Sequence, residues 1–122
     1  MNDNSIKSRA EPTWQGVIHI AGDYETCIEA LLEYTLKGLC VSVIREDFVY
    51  TGGMESGMAV RIINYPRFPK SAESLAKEAA SLAIFLIHRL DQGSCSVVMP
   101  DETIWLTPRG GAWPWPNSQP KL

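Results

Sequence analysis

Apolar residues recur along this chain at two spacings, one belonging to strands and one to helices. Gly16-Val-Ile-His-Ile-Ala21 is short, β-branched and bounded by Gly16 and Gly22, which predicts a strand. Ile28, Leu31, Leu32, Thr35 and Leu36 follow at intervals of three and four, the apolar face of a helix over about 23–37. Asp23 stands at its N-cap, Glu25 in its first turn, and Lys37-Gly38 at its stop. Leu39-Cys-Val-Ser-Val-Ile44 returns to strand character. The three charges of Arg45-Glu-Asp47 interrupt it before Phe48-Val-Tyr-Thr51 resumes, predicting a turn between two short strands. A glycine loop over 52–57 leads into Met58–Tyr65, where Val60 and Ile62 share one face and Arg61 and Ile63 the other. Pro66 and Pro69 end that strand.

Ser71 caps a second helix, with Glu73 close behind and Leu75, Ala79, Leu82, Ala83, Leu86 and Leu90 as its stripe. Within it Ala83-Ile-Phe-Leu-Ile87 is apolar all round. That predicts cover on two sides, either between layers or against a second copy of the chain. Asp91-Gln-Gly93 stops the helix. Ser94–Met99 and Thr103–Leu106 form a hairpin turned by Pro100-Asp-Glu102, and prolines from Pro108 onward defeat regular structure.

The order β-α-β-β-β-α-β-β predicts an α+β fold of two layers. Its mostly antiparallel sheet of five to six strands would carry both helices on one face, as a variant of the ferredoxin-like split βαβ. Residues 1–12 are expected as an N-terminal arm, 13–107 as a single domain, and 108–122 as a Pro/Trp-rich tail. In that tail Trp113 and Trp115 are suited to docking. Together with the all-apolar helix segment they predict a homo-oligomer.

Composition narrows the function classes. At 122 residues the chain fits one domain with a core of its own. A net charge of -3 argues against general nucleic-acid binding, which wants a basic face. Cys27, Cys40 and Cys95 show no metal-type spacing, so no metal and no cofactor is expected. No apolar run approaches the roughly 20 residues that span a bilayer, and the N-terminus lacks the apolar centre of a signal peptide. The cytoplasm is the expected compartment.

No catalytic constellation is visible. His19 sits in an apolar strand and His88 near a helix end; neither has a serine or cysteine at a triad-like spacing, and no GxSxG elbow exists. The expectation is therefore a binding protein and not an enzyme. Thr51-Gly-Gly-Met-Glu-Ser-Gly57 reads either as a hairpin loop or as a nest of backbone N–H groups for an anion. Asn64-Tyr-Pro-Arg-Phe68 reads either as a structural strand exit or as a recognition cluster. In the second reading Gly52 and Gly53 supply backbone donors, and Arg61, Arg67 and Arg109 supply charge. Asn64 then meets a base or ribose edge, and Tyr65 offers a stacking face. That set predicts a phosphate-bearing small-molecule ligand.

Gly38-Leu-Cys-Val-Ser-Val43, Tyr50-Thr-Gly-Gly53 with Glu55 and Gly57, and Ile63-Asn-Tyr-Pro-Arg-Phe-Pro69 resemble a set of small phage and prophage proteins over about residues 16–107. In size and α+β character the chain is also similar to the phage anti-defence proteins that sequester nucleotide second messengers of Thoeris or cyclic-oligonucleotide defence. The resemblance implies an anti-defence role in the host cytoplasm, as an oligomer enclosing a nucleotide-derived signal without cleaving it. The alternative it implies is an inhibitor of a host defence nuclease, as in anti-CRISPR proteins. Such an inhibitor would act through an acidic surface of Glu25, Glu29, Glu33, Asp47 and Glu55.

Overall fold

The computed structural model describes residues 5–108. Its elements are β1 (Gln15–Ala21), α1 (Tyr24–Tyr34, continued by a 3-10 turn over Thr35–Lys37), β2 (Ser42–Tyr50), β3 (Gly53–Ile63), α2 (Ala72–Arg89), β4 (Cys95–Val98) and β5 (Thr103–Leu106). The five strands make one antiparallel sheet in the order β2-β3-β1-β4-β5. This is the ferredoxin-like arrangement with β5 added at one edge, and the predicted α+β class is correct.

The two helices cover one face. Ile18 and Ile20 of β1, Val60 and Ile62 of β3 and Val97 of β4 point toward them and are fully or almost fully buried. They meet Leu75, Ala79, Leu82, Ala83 and Leu86 of α2, with Cys27, Ala30 and Leu31 of α1 closing the same core. Burying a large aliphatic side chain contributes about 1.5–3 kcal/mol, so this cluster is what holds the layers together. Phe85 packs against Tyr34 of α1, ring centroids 5.0 Å apart. Of the all-apolar segment in α2, only Ile84 stays exposed.

The predicted punctuation is present. The Asp23 carboxylate accepts from both N and Oγ1 of Thr26, and Ser71 accepts from the Ser74 N–H. Those bonds hold the Asp23 carboxyl below its ordinary value. Gly38 ends the first helical segment at φ 100°.

Two boundaries differ from expectation. Arg45–Asp47 does not break the strand, because β2 runs unbroken from Ser42 to Tyr50. It is an edge strand, so its charged side chains reach water without leaving the ladder. The expected glycine loop is also shorter than 52–57. Thr51 and Gly52 alone make the turn, with Gly52 at φ 86°, and Gly53 already pairs with Tyr50. Glu55 and Gly57 are therefore strand residues.

Candidate functional site

Strand β1 ends at Ala21, but the β2–β3 hairpin runs on past it to the turn at Thr51–Gly52. The hairpin thus leaves the sheet as an arm. At its base, where the chain turns from β1 into α1, lies a cleft of about 430 Å³. Gly22, Asp23 and Tyr24 form one wall, and Arg45, Glu46, Asp47, Ser56 and Gly57 the other. The volume falls in the range of small-molecule sites, roughly 300–1,000 Å³.

The cleft is acidic. Among the described residues Arg45 is the one cation in its lining, and it is engaged twice. Its guanidinium lies 4.0 Å from the Tyr24 ring centroid, and Nη2 donates to Glu25 at 3.1 Å. Asp23 is committed to the α1 cap. Glu46 accepts from Nδ1 of His19 at 2.5 Å, and Asp47 is exposed. Strand alternation places Glu46, Phe48, Tyr50 and Glu55 on the sheet face away from the helices, opposite Tyr24, Arg45 and Asp47. Partial desolvation, and next a hydrogen bond to the Glu55 carboxylate, raise the Tyr50 phenol above the ordinary tyrosine range. On its helix side the cleft offers the exposed Asp47 carboxylate and the Tyr24 ring, which suit a cationic ligand with a flat heterocycle.

The structure does not gather the residues expected as a binding set. Gly52 and Gly53 sit at the tip of the arm. Asn64 lies just beyond the other end of β3, about 35 Å away at ~3.3 Å per strand residue. Asn64 is buried and structural: its amide donates to the Pro12 carbonyl at 2.8 Å and accepts from the Lys70 N–H at 3.0 Å. The Tyr65 hydroxyl meets the Cys40 sulfur at 3.2 Å. Arg67 is exposed, 5.5 Å from the Phe68 ring centroid. Arg61 is exposed on the face opposite the helices, paired in register with Val17 and Ser42. Arg109 lies outside the described residues, as do Trp113 and Trp115. The three arginines were expected to attract phosphate together; Arg61 and Arg67 do not line the cleft.

A second hollow, of about 270 Å³, runs between α1 and the edge strand β2 and is lined by Ile28, Leu31, Leu32, Val41 and Val43. It lacks the few convergent polar groups that orient a small ligand. Sequence reading did not place Tyr24 and Arg45 at a cleft, nor did it foresee the His19–Glu46 contact. The signal was present in the charged triplet Arg45–Asp47, but its meaning depended on which strand lay two places away. Among the described residues no cluster of metal-binding side chains occurs, and no helix is long and apolar enough to cross a membrane.

No protein-family model and no curated protein sequence matches the chain. Solved structures do. A phage SAM lyase in complex with S-methyl-5′-thioadenosine superposes with a TM-score of 0.66 at 14% identity, over 84% of this chain and 95% of that one. The same type of enzyme, a phage SAM lyase in its apo state, gives 0.64 at 16% identity over 88% and 100%. At such identity the likeness is one of fold, and it overturns the expectation that the chain is not an enzyme. That expectation rested on the lack of a nucleophile–base pair, whereas this fold carries lyase chemistry in the structures it resembles.

Proposed function

We propose that this protein is a lyase that breaks a carbon–sulfur bond in an adenosyl sulfonium compound of the S-adenosylmethionine class. The observation that carries this reading is the acidic cleft at the base of the arm, with the Tyr24 ring in one wall. It occurs on a fold otherwise seen in a lyase holding a thioadenosine. The chemistry explains why no catalytic signature is needed. A sulfonium is a leaving group already made. When the C–S bond breaks, its electron pair passes to sulfur and methylthioadenosine departs as a neutral thioether that needs no proton. The carbon fragment then closes onto its own carboxylate or loses a neighbouring proton, and no water is added. The protein's task is to fix the substrate's conformation and keep water from the reacting carbon. Tyr24 supplies a flat surface for the adenine, and the exposed Asp47 carboxylate accepts the substrate's cationic end.

An anti-defence role, as the phage resemblance implies, agrees with this activity, because consuming the methyl donor deprives methyl-dependent host enzymes. The test is incubation with S-adenosylmethionine, followed by chromatography with mass detection. The expected result is many equivalents of methylthioadenosine per protein chain, with a carbon fragment that contains no oxygen from labelled water. Full recovery of the substrate after long incubation would overturn the reading.

We also propose that copies of the chain associate through the sheet face opposite the helices, where Val17, Ile44, Ile63 and Val98 leave an apolar surface that the described residues do not cover. Light scattering should give a mass above that of one chain. A monomer at high concentration would count against it.

A further inference from the structure

Arg45 joins the two walls of the cleft. It belongs to β2, two residues before Asp47 and on the same sheet face. Both of its contacts, however, are with the start of α1. The guanidinium stands over the Tyr24 ring, 4.0 Å from the centroid, and Nη2 donates to Glu25 at 3.1 Å. Tyr24 is packed against the core, so its ring stays in place when the guanidinium moves. The bond to Glu25 is weak, because the two side chains are 68% and 74% exposed and ion pairs in water contribute little. It also uses one of the five guanidinium N–H groups. Arg45 is thus a cation in an acidic cleft whose partners can be exchanged at small cost.

We infer that Arg45 is the specificity residue for the α-carboxylate of the substrate, and that it gives up Tyr24 and Glu25 to bind it. The inference rests on reading the cleft as a site for an adenosyl sulfonium amino acid. The adenine of such a substrate needs a flat surface, and the cleft provides the Tyr24 ring. The guanidinium stands over that ring, so adenine and Arg45 compete for it.

The amino-acid end carries an ammonium and a carboxylate on one carbon. Asp47 suits the ammonium. The carboxylate needs a cation, and among the described residues Arg45 is the one that lines the cleft. The two residues stand about 6.6 Å apart along the strand, at ~3.3 Å per residue. An arginine side chain is long enough to bring its charge beside that of Asp47. A cation and an anion so placed are the inverse of the amino-acid zwitterion. A guanidinium fork holds a carboxylate through two bonds, whereas Glu25 accepts one. The exchange therefore improves the contacts of Arg45 and uncovers the ring for the adenine. Binding of the two ends of the substrate is coupled through this one side chain.

Equilibrium binding of three unreactive probes tests the exchange. S-adenosylhomocysteine carries adenine, ammonium and carboxylate. Its decarboxylated analogue lacks only the carboxylate, and methylthioadenosine lacks the whole amino-acid end. In Arg45→Gln, affinity for S-adenosylhomocysteine should fall about 10- to 100-fold, the loss of a charge-assisted contact. The other two probes should bind at least as tightly as before, because the guanidinium no longer competes for the Tyr24 ring. Arg45→Lys, which keeps the charge without the fork, should recover part of the loss. Glu25→Gln should tighten S-adenosylhomocysteine about 2- to 5-fold, since the competing carboxylate is gone. A merely structural role for Arg45 would weaken all three probes alike. That result, or no change in any probe, would overturn the inference. So would a Glu25→Gln protein that binds S-adenosylhomocysteine no better than wild type. Wild-type protein that consumes S-adenosylmethionine while Arg45→Gln binds every probe normally loses this inference alone. Wild-type protein that binds none of the probes and leaves S-adenosylmethionine intact loses the lyase reading as well.

Discussion

Cutting Leu82 back to alanine should destabilise the protein by about 2–5 kcal/mol and lower Tm by roughly 10–20 °C. Leu82 is fully buried in the middle of α2, where the helix lies on the sheet. Its methyls fill the layer between the two helices and the apolar side chains of β1, β3 and β4. Truncation removes their transfer energy and leaves a cavity that two rigid layers cannot close. Urea titration measures the loss. The comparison is Ile84→Ala on the same helix, whose side chain is half exposed and should change stability far less. Equal effects at the two positions would mean that Ile84 is covered in solution, by a partner or by a segment outside the described residues.

That pair of residues also marks what could be read from the chain. The stripe in α2, its Ser71 cap, the Asp23 cap and the Gly38 stop are local, and the periodicity carried them. The order of elements followed, and with it the fold class. The unbroken β2 was not legible, because three consecutive charges suit an edge strand as well as a turn, and edge status is a property of the assembled sheet. The expected binding residues are not gathered in one place for the same reason. Gly52, Gly53, Asn64, Tyr65 and Arg67 are close in sequence, but an extended strand between them turns sequence proximity into distance. Conversely His19 and Glu46 are 27 positions apart and in contact. Strand partnership was the missing variable.

Gly57→Ala should damage both stability and the cleft. A Cβ built at Gly57 lies 2.4 Å from the Ile20 carbonyl oxygen, 2.5 Å from the Phe48 ring and 2.8 Å from Ala21 Cα. Two of those three atoms are backbone of the central strand and cannot turn aside. The clash therefore pushes β1 and β3 apart where the cleft begins, at a cost of about 1–3 kcal/mol. Since Gly57 also lines the cleft, the turnover expected on the proposed lyase reading should fall by more than the loss of stability accounts for. Gly53→Ala is the control. The Cβ there meets only the Tyr50 ring, at 2.9 Å, the outer part of a side chain that can rotate away. Urea titrations of both variants, with turnover measured under conditions where each is fully folded, test the contrast. A Gly57→Ala protein of wild-type stability and activity would sink it.

The position of β1 has a consequence for how the chain comes to be folded. The strand nearest the N-terminus lies in the middle of the sheet, and its neighbour on one side is β4, with Val17 opposite Val98. Until β4 has been synthesised, β1 has only one neighbour to pair with. Its other edge then presents unpaired amide and carbonyl groups. The pairings of β1 with β3 and β4 thus close long loops, which makes folding slow compared with that of a helical protein of the same length. During synthesis the β1–β3 pair and its helices wait as an open half-sheet, and the arrival of β4 both completes the core and removes the edge at which two nascent copies could join.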